Sequence, residues 1–176
     1  MKFPLLVFAV SSLALAQPPE PAPVKVTRIS TPEKALRFEI VVPAKPAEVW
    51  QAFSTSEGLS TWLWKDCSVE LKPGGGWIVH FPGGSTGGGT IVSFEAGRSI
   101  TIRAMAPDKF PEVRRVGTIA LFEMAPEGEK TKVTLTQTGW NPGKEWEEAY
   151  DYLAQGNAQL MGQLYLRFTR GPLKWQ

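Results

Sequence analysis

Apolar and polar residues alternate along Leu36-Arg37-Phe38-Glu39-Ile40-Val41-Val42, and the run stops at Pro43. A period of two predicts a strand with one buried face. Pro46 then suits the first position of a helix and Glu48 its first turn, with Val49, Trp50 and Phe53 on one face. Ser54 with Glu57 three residues on predicts a capping box for a second short helix, whose apolar residues are Leu59, Trp62 and Leu63. Six short runs follow, at 67–71, 77–81, 90–94, 100–105, 116–124 and 132–140, each closed by a Gly, Pro, Asn or Asp turn signal. Short strands at this spacing predict an antiparallel meander, and the first strand makes seven. From Lys144 to Arg170 there is no proline. Trp146, Tyr150, Leu153, Asn157, Leu160, Leu164 and Phe168 recur there at three- and four-residue steps, which predicts one long amphipathic helix ended by Gly171-Pro172. The expected class is α+β, in the order β-α-α-β6-α, with the helix across a single sheet.

The start of the chain follows another pattern. Lys2 precedes an apolar run, and Ala14-Leu15-Ala16 fits a small-x-small cleavage site. This is the form of a secretory signal peptide over 1–16, cut after Ala16, and the run is too short to span a bilayer. The alternative is an uncleaved anchor helix. The expected location is periplasmic or secreted, without stable membrane insertion after cleavage. Residues 17–35 read as a tether and lead-in, with Pro18, Pro19, Pro21 and Pro23 enforcing an extended chain. The domain is expected over 36–172, its start falling between Val24 and Leu36, with a tail at 173–176.

Composition narrows the function. The chain has 176 residues, 43% apolar and 20% charged, enough for one ordinary domain. Lys+Arg is 19 against 17 for Asp+Glu, a net charge of +2, which is too balanced for a nucleic-acid grip. One His and one Cys argue against a Cys/His metal centre and a disulfide framework, so no metal or cofactor is expected. Cys67 reads as a small buried hydrophobe. The 7 Trp, 9 Phe and 17 Gly point to a large apolar interior with many turns.

Several stretches, taken in order, resemble the START-like (SRPBCC, birch-pollen-allergen-like) superfamily, and within it the heat-shock protein 90 ATPase activator-like family. They are Val42-Pro43-Ala44-Lys45-Pro46-Ala47-Glu48-Val49-Trp50-Gln51-Ala52-Phe53, Leu59-Ser60-Thr61-Trp62-Leu63 and Leu71-Lys72-Pro73-Gly74-Gly75-Gly76-Trp77. Glu127-Gly128, Thr131-Lys132-Val133-Thr134-Leu135-Thr136, Gly139-Trp140 and the closing helix with Trp146 complete the match. The resemblance implies the helix-grip fold, with a cavity between a curved sheet and the C-terminal helix. It implies binding of an apolar or aromatic small molecule in many members and catalysis in only some. Chaperone activation does not carry over to an exported chain without ATP. Gln137 stands where many relatives have His, and an amide does not titrate.

Strand alternation assigns the cavity face. Trp77, Val79 and Phe81 share it, as do Ile102, Ala120, Phe122, Leu135 and Gln137. The long helix offers Tyr150, Leu153, Asn157 and Leu160, and Phe53 and Trp62 are expected at the rim. Gln137, Tyr150 and Asn157 are the polar groups of this wall. They either bond to one another and to backbone or orient a ligand.

Catalytic patterns are weak. Gly83-Gly84-Ser85-Thr86-Gly87 matches a nucleophile elbow only literally, because it lies between two strands. His80 points away from Trp77 and Phe81. Glu145, Glu147 and Glu148 suit a helix start, and Arg114-Arg115 opens a strand as a solvated pair or as a contact for an acidic group. The expected function is therefore binding of a small hydrophobic or aromatic molecule, with no catalytic residue assigned. The alternatives are an enzyme of cyclase, dehydratase or hydrolase type using the same cavity, or an interaction module with a filled core.

Overall fold

The computed structural model describes residues 24–175. The leader, its cleavage point after Ala16 and the run from Gln17 to Pro23 lie outside them, as does Gln176.

The expected class holds. The chain runs β1 (Lys25–Ile29), β2 (Ala35–Val42), α1 (Pro46–Ser54), α2 (Ser56–Ser60), β3 (Cys67–Val69), β4 (Gly76–His80) and β5 (Thr86–Glu95). It continues with β6 (Ser99–Ala104), α3 (Pro111–Val116), β7 (Thr118–Glu127), β8 (Lys130–Thr138) and α4 (Lys144–Arg170). One antiparallel sheet has the order β1-β2-β8-β7-β6-β5-β4-β3. Its inner face carries Leu36, Phe38 and Ile40 from β2, Trp77 and Val79 from β4, Ile100 and Ile102 from β6, Ala120 and Phe122 from β7, and Val133 and Leu135 from β8, all buried. The helix α4 covers that face with Trp146, Ala149, Ala154, Met161 and Leu164.

Four sequence expectations need correction. The sheet has eight strands, because Lys25–Ile29, expected within the tether, pairs with β2 from Lys25↔Glu39 to Ile29↔Ala35. It is an edge strand, mostly exposed, so it carries no buried period-two signal. Arg114 and Arg115 do not open a strand; they end α3, which Pro111 starts. Glu145 of α4 receives the Glu112 and Val113 amides at 2.7 and 3.1 Å, so a helix-start acid here caps a second helix. The capping residue of α2 is Thr55, whose hydroxyl accepts from Gly58 N at 2.9 Å, and not Ser54, which ends α1. Finally, β5 starts at Thr86, so Gly87-Gly88-Gly89 is strand and not loop. A Cβ at Gly88 would lie 2.0 Å from the Trp77 carbonyl oxygen, so only glycine permits this pairing.

On the outer face, the Glu39 carboxylate lies 2.6 Å from Lys132 and 3.3 Å from Lys25. The Lys132 hydrogen bond holds its pKa below the ordinary 4.5, against a desolvation that would raise it. A carboxyl with a depressed folded pKa stabilises the native state above its unfolded value, and that contribution disappears as pH falls through the folded one. Glu39→Gln is expected to flatten the dependence of melting temperature on pH below 4.5. At neutral pH it should cost no more than about 1 kcal/mol. Melting curves over that acid range test this, and a parallel pH dependence in both proteins would contradict it.

Candidate functional site: a cavity between the sheet and the last helix

Where α4 crosses the inner face between β4 and β8, the two do not close. A cavity of about 160 Å³ remains. Trp77, Phe81, Ile102, Phe122, Gln137, Asn157 and Leu160 line it, all of them expected there from strand or helix spacing. Val79, Ala120, Leu135 and Leu153 line it too. None of the described residues on the wall has a titratable side chain.

Its polar corner is built from three elements. Gln137 on β8 donates from Nε2 to Thr118 Oγ1 on β7 at 2.7 Å. Asn157 on α4 donates from Nδ2 to Gln137 Oε1 at 2.8 Å. Gln137 and Thr118 are buried, and Asn157 is half-buried. The Asn157 Oδ1 accepts no hydrogen bond from any described residue. It is the one carbonyl of this corner left to a guest. Replacing Gln137 by leucine strands the Thr118 hydroxyl and the Asn157 amide in apolar surroundings. Such orphaned groups cost about 1–3 kcal/mol. Urea denaturation should show a loss in that range, and an unchanged midpoint would mean that this network contributes nothing.

Three expected site residues lie elsewhere. Tyr150 is not on the cavity wall. Its hydroxyl donates to the Ala35 carbonyl at 2.9 Å, and its ring meets Trp140 edge-on at 4.9 Å. Lys34 Nζ and the Arg28 guanidinium sit over that ring at 4.3 and 5.1 Å, and burial pushes its pKa up. Tyr150 shares the apolar stripe of α4 but stands a turn nearer its start, above β2 and the end of β1. Helical spacing gives the face and not the strand beneath it. Phe53 and Trp62 are not at the rim either, for both are fully buried. Phe53 packs behind the wall, its ring 5.2 Å from Phe122 and 6.5 Å from Trp77. Trp62 lies a layer deeper, 4.9 Å from Phe53.

Sequence spacing misses Leu63, Gly87, Gly88 and Met105, which also line the cavity. Leu63 follows Trp62 outside α2, where no helical period applies. The glycines have no side chain to signal a face. The mouth is braced by an aromatic chain: Phe81 packs on Trp64 at 5.7 Å and Trp64 on Trp175 at 5.3 Å. Trp175 is tied down by its own Nε1 bond to the Ser60 carbonyl at 2.8 Å, and Leu173 N donates to Thr61 O at 2.8 Å.

Other candidate chemistry is dispersed. His80 Nε2 lies 2.9 Å from Ser68 Oγ on the outer face, and its ring makes no hydrogen bond to Ser85. Cys67 is buried, its Sγ 3.1 Å from the Trp64 carbonyl, and desolvation raises its pKa. No cluster of His, Cys, Asp and Glu among the described residues could hold a metal ion. No helix among them is long and apolar enough to cross a membrane.

Known proteins share this architecture. The solution structure of the Aha1 dimer from Colwellia psychrerythraea superposes with a TM-score of 0.65 at 19% identity, covering 78% of this chain and 97% of that one. The crystal structure of MLL2253 from Mesorhizobium loti gives 0.66 at 16%, covering 79% and 99%. CalU16 from Micromonospora echinospora gives 0.60 at 18%, covering 86% and 85%. No curated protein matches the sequence. Residues 43–168 match the family model described as Activator of Hsp90 ATPase homolog 1-like protein. That span runs from the end of β2 to the last turn of α4, so it takes in every cavity-lining residue, and the chain belongs to the Activator of Hsp90 ATPase homolog 1-like family.

Proposed function

We propose that this protein binds one small apolar or aromatic molecule in the cavity between its sheet and α4. The observation that carries this reading is the space itself, about 160 Å³ behind Trp77, Ile102 and Phe122. An apolar cavity of about 150 Å³ accommodates a benzene ring. The guest is therefore a single ring or a short alkyl group, with any larger part leaving through the mouth at Phe81 and Leu160. Burial of the ring supplies affinity, and Asn157 Oδ1 orients one donor on it. The empty space speaks against an interaction module with a filled core. Proton-transfer catalysis needs a titrating group within hydrogen-bond reach of the guest, and the described residues of the wall supply none, so binding is the better reading.

We further infer that the protein is exported and works after removal of residues 1–16, for which the Lys2 to Ala16 pattern is the support. Two measurements test these readings. Native mass spectrometry of protein purified from its host should find a bound hydrophobic or aromatic molecule. Added 3-phenylpropanol should shift the amide signals of Ile102, Phe122 and Asn157. An empty protein whose spectrum ignores the alcohol has no such site. Terminal sequencing of protein from the exported fraction should begin at Gln17.

A further inference from the structure

Among the described residues of the cavity wall, three side chains carry nitrogen or oxygen: Trp77, Gln137 and Asn157. Trp77 spends its indole N–H on the Phe53 carbonyl at 2.9 Å. Gln137 is engaged at both ends of its amide, with Nε2 donating to Thr118 Oγ1 and Oε1 accepting from Asn157 Nδ2. Asn157 alone keeps an acceptor in reserve, its Oδ1, which takes no hydrogen bond from a described residue. That carbonyl is also held in place. Asn157 Nδ2 is tied to Gln137, Gln137 is tied to Thr118, and the Gln137 backbone carbonyl accepts from Trp140 Nε1 at 3.0 Å. Leu153 and Leu160, one turn to either side on α4, line the cavity with Asn157. The site is thus a single fixed acceptor set in an apolar wall.

Such an acceptor discriminates. A hydrocarbon guest leaves it unpaired, at the cost of its lost hydration. An ether or carbonyl oxygen would set lone pair against lone pair. A carboxylate or an ammonium group would bury a charge that no described wall residue can pair. A neutral hydroxyl satisfies it. We propose that Asn157 determines specificity, and that the cavity takes an uncharged ring bearing a hydroxyl group, of which phenol is the simplest. The ring lies against Ile102 and Phe122, and its O–H donates to Asn157 Oδ1. This rests on the binding function proposed above and names the class of its ligand.

Calorimetry at neutral pH with toluene, phenol, anisole and benzoate tests it, on the wild type and on Asn157→Leu. Phenol and toluene have nearly the same shape and differ in the donor. Anisole keeps the oxygen and loses the hydrogen, and benzoate brings a charge. The wild type should bind phenol at least as tightly as toluene, although water solvates phenol far better, because a site built for a hydroxyl discriminates against the analogue that lacks it. It should bind anisole more weakly than phenol and benzoate not measurably. Asn157→Leu should weaken phenol about tenfold or more relative to toluene. Changes of cavity volume act on both molecules alike and cancel in that ratio, and retained toluene binding shows that the variant is folded with its cavity open. If that variant does not fold, the wild-type comparison of phenol with anisole decides alone. Anisole bound as tightly as phenol by the wild type, or a phenol-to-toluene ratio that Asn157→Leu leaves unchanged, overturns the selection by Asn157 while the cavity function stands. A wild-type protein that binds none of the four has no such site, and the cavity function falls with it.

Discussion

Phe53→Ala is expected to remove about 3–5 kcal/mol of stability, the range for truncating a fully buried phenylalanine. The ring has no solvent exposure and joins three others: Trp62 at 4.9 Å, Phe122 at 5.2 Å and Trp77 at 6.5 Å. Trp62 and Trp77 also bond through their indole N–H groups to the Ala52 and Phe53 carbonyls, so the end of α1 is pinned from two sides. The void left behind cannot collapse without moving those bonds. For a domain of this size each kcal/mol moves the melting temperature by about 2–4 °C, so a fall near or above 10 °C should be seen. Trp50→Ala is the control: one turn earlier on α1 and only half-buried, with its ring 6.4 Å from the exposed Phe94, it should cost clearly less. Equal losses from both would mean that the cluster around Phe53 is not the anchor of the core.

Ala120→Phe should have the largest effect on binding. Ala120 is 5% exposed and lines the cavity on β7 between Ile102 and Gln137. A phenyl group there occupies much of the 160 Å³ that a guest would use. Denying a ring its burial forfeits about 1.5–3 kcal/mol, so the affinity for 3-phenylpropanol should drop about tenfold to hundredfold. The new ring enters existing space, so overpacking should cost at most about 1–3 kcal/mol, much less than Phe53→Ala. Unimpaired binding by a folded Ala120→Phe protein would place the guest somewhere other than this cavity.

Most of the fold was legible, because burial writes a period into the chain. Leu36, Phe38, Ile40 and Val42 alternate inward, and α4 shows its stripe over its whole length. Where an element is not buried on one face, the signal vanishes: β1 lies at an edge, and α3 is a six-residue helix marked only by Pro111. Glycine misled in the other direction. Three in a row read as a loop, yet Gly88 and Gly89 are in β5 because neighbouring carbonyl oxygens occupy the space of their Cβ atoms. The cavity wall followed the same logic. Alternation put Trp77, Phe122 and Gln137 on the inner face, but it could not separate residues that line a space from residues packed behind it. Phe53 and Tyr150 differ from Phe122 and Asn157 only in which strand or helix turn lies opposite, and that is set by how α4 crosses the sheet.

The pairing of β2 with β8 has a consequence for the order of folding. On its β8 side Leu36 finds its partner only at Gln137, and the inner face is covered by α4. A chain still being synthesised holds the first strand and both short helices without the strand that buries them. Contacts this distant in sequence close slowly, because loop entropy must be overcome before they form. The earlier two thirds of the chain therefore leave the ribosome without a finished core. For the export proposed above this is an advantage: the topology delays the very structure that would block the passage of an unfolded chain across a membrane.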